Sequence, residues 1–99
     1  MTMEQPDAVI HQPVRLKIMA ALHPLPARDA LEFLRLRALV GATDGNLGAH
    51  IATLEQAGYV EVEKDFVGKK PRTRVKLTKA GRRAFEDYLG FLRGIVGAS

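Results

Sequence analysis

The stretch TDGNLGAHIATLEQAGYVEVE, residues 43–63, changes its hydrophobic period halfway along. In its first half Leu47, Ile51 and Leu54 recur at spacings of four and three, which places them on one face of an α-helix. Thr43 stands where a hydroxyl caps a helix start, and Gly58 where a left-handed residue ends one. Beyond Gly58, Val60 and Val62 alternate with Glu61 and Glu63, the pattern of a half-buried strand.

On the amino-terminal side, Gly41 closes the preceding helix, so two short helices meet across a tight Gly41-Ala42 turn. That preceding helix is expected to begin near Asp29, with Glu32 three residues on as in a capping box and Leu31, Phe33, Leu36, Leu39 and Val40 as apolar surface. Upstream, Pro13 suits the first turn of a helix carrying Leu16, Met19 and Leu22, and Pro24-Leu25-Pro26 stops it. Residues 1–7, polar and containing Pro6, read as a flexible start to one domain spanning 8–99. Downstream, Thr73, Val75 and Leu77 alternate with Arg72, Arg74 and Lys76 as a second strand. The intervening Phe66-Val67-Gly68-Lys69-Lys70-Pro71 reads as an extended hairpin tip, too long for a minimal turn. Thr78 caps a final helix with Phe85, Tyr88, Leu89, Leu92, Ile95 and Val96 on one stripe. The order is helix, helix, helix, strand, strand, helix, an α+β chain that is mainly α.

A chain of 99 residues, 46% hydrophobic, buries one modest core. It has no cysteine, which excludes disulfides and thiolate chemistry. Its amino terminus lacks a basic segment leading into an apolar run, and no stretch approaches the roughly 20 apolar residues a bilayer span needs. The expectation is a cytoplasmic protein without membrane contact. The formal charge of +4 is uneven: nine of the 15 cations lie between Lys64 and Arg83, against one acid, Asp65. A local basic patch of this kind favours a polyanionic partner.

Four segments in this order resemble the winged helix-turn-helix regulators of the MarR/ArsR-like class, in particular short stand-alone members. They are His11-Gln12-Pro13-Val14-Arg15-Leu16-Lys17-Ile18-Met19, Thr43 to His50, Leu54-Glu55-Gln56-Ala57-Gly58-Tyr59-Val60, and Leu77-Thr78-Lys79-Ala80-Gly81-Arg82. The resemblance implies a homodimer that binds double-stranded DNA and regulates transcription. Gly48 and Ala49 depart from it, standing where relatives often carry a serine and an arginine that touch DNA.

In a helix-turn-helix the second helix enters the major groove amino end first. With Leu47, Ile51 and Leu54 facing inward, Thr43, Asp44, Gly45, Asn46, Ala49, His50 and Thr53 remain for DNA. Asn46 is the candidate base reader because an amide bonds adenine at two points; capping of its own helix is its other reading. Lys69, Lys70, Arg72 and Arg74 are the candidate wing contacts to phosphates or a minor groove. Val9, Ile10, Tyr88, Leu89, Leu92, Ile95 and Val96 are the candidate dimer surface, since the last stripe outruns what the core requires.

His11, His23 and His50 lack ligand spacing, so no metal or other cofactor is expected; His11 is read as bonding backbone and Arg15 as pairing with a carboxylate. No phosphate-cradling glycine loop, nucleophile with its base, or paired carboxylates point to an enzyme. The rival class is a winged helix that docks proteins, using its last helix and an acidic partner for the basic wing. A small-molecule effector at the dimer seam is compatible with the chain, and nothing in the sequence names one.

Overall fold

The computed structural model describes residues 7–97; most of the 1–7 start lies outside them. Helix α1, Pro13–Leu22, begins as expected at Pro13, with the Gln12 side chain accepting the Arg15 amide at 2.9 Å. Helix α3, Asp44–Gln56, starts at Thr43, whose hydroxyl accepts the Asn46 amide, and gives way to Gly58 at φ +81°. Gly41, at φ +74°, closes helix α2, Phe33–Val40. Helix α4, Lys79–Val96, is capped by Thr78, which accepts from the Gly81 amide at 2.9 Å.

Two expectations are corrected. Helix α2 begins at Phe33, not near Asp29, because Ala30–Glu32 forms a short strand, β1. It lies antiparallel to β3, Lys70–Leu77, with Ala30, Leu31 and Glu32 opposite Lys76, Val75 and Arg74. Backbone pairing with a distant strand and the packing of Leu31 on the core outweigh a local capping box. Glu32 makes no side-chain cap. The hairpin tip is also shorter than expected. Strand β2, Val60–Val67, pairs with β3 out to Val67 opposite Lys70, which leaves only Gly68 and Lys69 in the turn. Gly68, at φ +62°, supplies the positive φ that the first central residue of a type II′ hairpin needs. Pro71 is accommodated because it lies beyond the end of β1, where one edge of β3 is open.

The sheet order is β1-β3-β2, and one core joins it to the helices. Ile18, Met19 and Leu22 of α1, Leu36 of α2, Leu47 and Leu54 of α3, and Val75 of β3 are fully buried in it. Two sequence motifs meet at its edge. The Tyr59 carbonyl accepts the Thr78 amide at 3.0 Å, and the Thr78 hydroxyl donates to the Gly58 carbonyl at 2.6 Å. Gly81 lies so close to Tyr59 that a Cβ would overlap its carbonyl. The Gly58-Tyr59 and Thr78-x-x-Gly81 signatures therefore lock the start of the hairpin to the start of α4.

Candidate nucleic-acid interface

Burial of Leu47, Ile51 and Leu54 leaves Thr43, Asp44, Gly45, Asn46 and Ala49 exposed on α3, with His50 and Thr53 half-buried. Four of the seven have side chains already engaged, Thr43 as the cap of α3. Asp44 is ion-paired with Arg37 of α2, so its charge does not stand alone at the helix amino terminus. Thr53 donates back to the Ala49 carbonyl at 3.2 Å. Nδ1 of His50 lies 3.1 Å from the Arg15 guanidinium; a guanidinium only donates, so Nδ1 accepts and Nε2 carries the imidazole proton. Arg15 also donates to the carbonyls of Val9 and Ala8. The carboxylate expected for Arg15 is thus replaced by carbonyls and an imidazole. His11 likewise departs from its expected backbone bond, with Nδ1 2.8 Å from the Tyr88 hydroxyl. Capping of α3 falls to Thr43, and the Asn46 side chain stays exposed at the first turn.

The wing has two unlike faces. On one, Glu61, Glu63 and Asp65 of β2 stand opposite Lys76, Arg74 and Arg72 of β3, in register. Asp65 takes two hydrogen bonds from Arg72, and the adjoining guanidinium holds its carboxyl below the usual carboxylate range. Arg74 lies 3.6 Å from Glu63 and 3.5 Å from Asp65, and Lys76 lies 3.5 Å from Glu61. Arg72 and Arg74, offered by the sequence as DNA contacts, are therefore neutralised within the sheet. Arg82 is also engaged, donating to the carbonyls of His23 and Leu25. Among the described residues, Lys69 and Lys70 make no ion pair and are exposed at the tip.

The other face of the hairpin looks toward α3. Val62, Lys64, Thr73 and Val75 line a groove of about 350 Å³ with Gly48, Ile51, Ala52 and Glu55 across from them. Gly48 and Ala52 leave the helix wall nearly bare, and the exposed Lys64 is among the lining residues. Sequence reasoning left Lys64 out of the site. Its signal was there: Lys64 falls in phase with Val60 and Val62, hence on the helix-facing side.

The candidate dimer residues separate into three groups. Ile10 and Tyr88 are buried in the protomer's own core. Val9, Leu89 and Leu92 are half-buried against it, and Ile95 and Val96 are 63% and 84% exposed. Among the described residues there is no group of three or more His, Asp or Glu side chains that could hold a metal, and no helix is long and apolar enough to cross a membrane.

Comparison with known proteins agrees with this geometry. An uncharacterized protein of Methanocaldococcus jannaschii is 37% identical over 81 residues, covering 82% of this chain and 85% of that one. The structure of a transcriptional regulator homologue from Pyrococcus horikoshii superposes with a TM-score of 0.80 at 32% identity, over 91% of this chain and 86% of that one. A MarR-family transcriptional regulator from Silicibacter pomeroyi shares the fold, with a TM-score of 0.70 at 24% identity, over 88% of this chain and 56% of that longer one. The winged-helix resemblance drawn from the four sequence segments is thereby upheld. With the winged helix DNA-binding domain model matching residues 14–96, the chain belongs to that family.

Proposed function

We propose that this chain is a sequence-specific transcriptional regulator that binds double-stranded DNA as a homodimer, with α3 in the major groove and the wing on the flanking backbone or minor groove. The observation that carries the reading is the exposed first turn of α3, with Asn46, on a helix whose next turns share a groove with Lys64 of a hairpin that carries Lys69 and Lys70 at its tip; none of the three lysines makes an ion pair among the described residues. The helix start offers backbone N–H groups and a positive dipole end to a phosphate, and Gly45 allows close approach. Asn46 reads a base edge, and the lysines supply counterion release. Exposed Ile95 and Val96, continuing the stripe of half-buried Leu89 and Leu92, are the surface that pairs two copies. Half-sites about 10 bp apart, or a multiple of that, follow from the two-fold symmetry.

The test is a salt series of fluorescence-anisotropy binding to a mixed-sequence duplex, with sedimentation on the same sample. The reading predicts a dimer whose affinity falls steeply with salt, and an Ile95→Glu/Val96→Glu variant that sediments as a monomer and binds much more weakly. Absence of binding at low salt would reject it and turn attention to the wing as a protein-docking face.

A further inference from the structure

We propose that Phe66 is an apolar wedge that enters the minor groove of bound DNA and partly unstacks a base step, so that the wing selects sites by how easily that step deforms. This rests on the DNA-binding reading above.

Phe66 is 70% exposed, whereas Phe85 is buried and Phe33 and Phe91 are half-buried. An aromatic ring left in water at a hairpin end has no role in the core, and its neighbours point to what it meets. It stands directly opposite Pro71, two residues before the Gly68-Lys69 turn, so an apolar pair occupies the end of the wing. Strand alternation puts Phe66 on the same face as Val62 and Lys64, which line the groove against α3. The ring therefore lies on the side where α3 would hold a duplex.

The charges around it complete the case. Lys64 precedes it by two positions on that face, and Lys69 and Lys70 follow in and beyond the turn. Asp65, the acid nearest the tip, points to the opposite face and is held by Arg72. The wing end thus presents an apolar ring with Lys64 on its own face, Lys69 in the turn and Lys70 on the opposite face, none of the three in an ion pair among the described residues. Minor-groove proteins that insert apolar side chains between base steps use this combination: the cations meet the phosphates on either side while the wedge opens the stack. Flexible pyrimidine–purine steps yield at the least cost, which makes the contact selective without a base-edge hydrogen bond.

The experiment uses the full chain and two duplexes selected for binding that differ only in the step under the wing, one with TA and one with a stiff A-tract. 2-Aminopurine at that step reports unstacking, and end-to-end energy transfer reports bending. The wild type should brighten 2-aminopurine and bend the TA duplex. Phe66→Ala should lose both signals and bind the TA duplex on the order of tenfold more weakly, with little change on the A-tract duplex and an unaltered salt slope. Phe66→Leu should recover part of the signal. Because the ring is mostly exposed, the thermal melt should not shift. If the wild type binds but 2-aminopurine stays dark, or if Phe66→Ala behaves as wild type, the wedge is wrong while the DNA-binding reading stands. If the wild type fails to bind either duplex at low salt, both fall. Phe66-dependent binding to anionic phosphatidylglycerol vesicles in place of the TA-specific signal would assign the tip to a lipid surface and overturn the wedge.

Discussion

Asp65 and Arg72 face each other across the wing, the carboxylate accepting from Nε at 2.9 Å and from Nη2 at 2.7 Å. The pair orients Arg72 along the sheet and cancels its charge, and so limits what the wing offers a phosphate. Its stabilising effect is present above the ordinary Asp value of 3.8, because the folded carboxyl is lowered by Arg72. It is lost as pH falls through that lowered value.

Asp65→Asn should release Arg72 toward DNA. Affinity is expected to rise on all sequences, and the slope of log affinity against log salt should steepen by up to about 0.9 per protomer. Anisotropy titrations from 50 to 300 mM salt, roughly the range over which such slopes are resolved, provide the check. An unchanged slope would mean that Arg72 does not reach the backbone even when freed.

Lys69→Ala/Lys70→Ala should have the opposite effect. These lysines make no ion pair among the described residues, so each charge is available for a phosphate. The slope should flatten by up to about two per protomer and binding should weaken evenly across sequences. A loss restricted to one sequence class would instead make the lysines base readers.

Gly81→Ala tests the motif contact between the wing start and α4. The new methyl would overlap the Tyr59 carbonyl, a backbone atom that cannot turn aside, so a loss of about 3 kcal/mol is expected in denaturant unfolding. Gly90→Ala, in the same helix with open space at the Cβ, should instead gain about 0.5–1 kcal/mol. Equal effects from the two would show that the close approach is not maintained in solution.

Tyr59→Phe probes the anchor on the amino-terminal segment. The Tyr59 hydroxyl donates to Asp7, and this bond, with burial and the Asp7 charge, pushes its pKa up from 10.0 to about 12. A raised folded value means that the neutral phenol is the stabilised form. Its contribution is full below about pH 10 and is lost as pH rises toward 12. The variant should be about 1 kcal/mol less stable at neutral pH, and the gap should close in that alkaline window. Urea midpoints at pH 7, 9 and 11 would show it.

Much of the fold was legible in the sequence because its signals are local. Thr43 and Thr78 cap helices, and Gly58 follows one, through backbone groups within a few residues, and Leu47, Ile51 and Leu54 mark the inward face of α3 through helix geometry alone. The alternation of Val60 and Val62 needs only the strand period, which also held the unnoticed sign that Lys64 faces the helix.

What escaped it depends on partners far along the chain. Residues 30–32 look like a helix start until β3, more than 40 positions later, offers them a ladder. Arg72 and Arg74 look like free wing cations until the strand register sets Asp65 and Glu63 against them. Ile10 and Tyr88 look like interface residues until the core closes over both. The caps of α1, α3 and α4 and the inward face of α3 can be read from local sequence, because they are set by hydrogen bonds and periodicities within a few residues. Which charges and apolar side chains remain for a partner is settled by the folded chain, because availability depends on which distant groups come within reach.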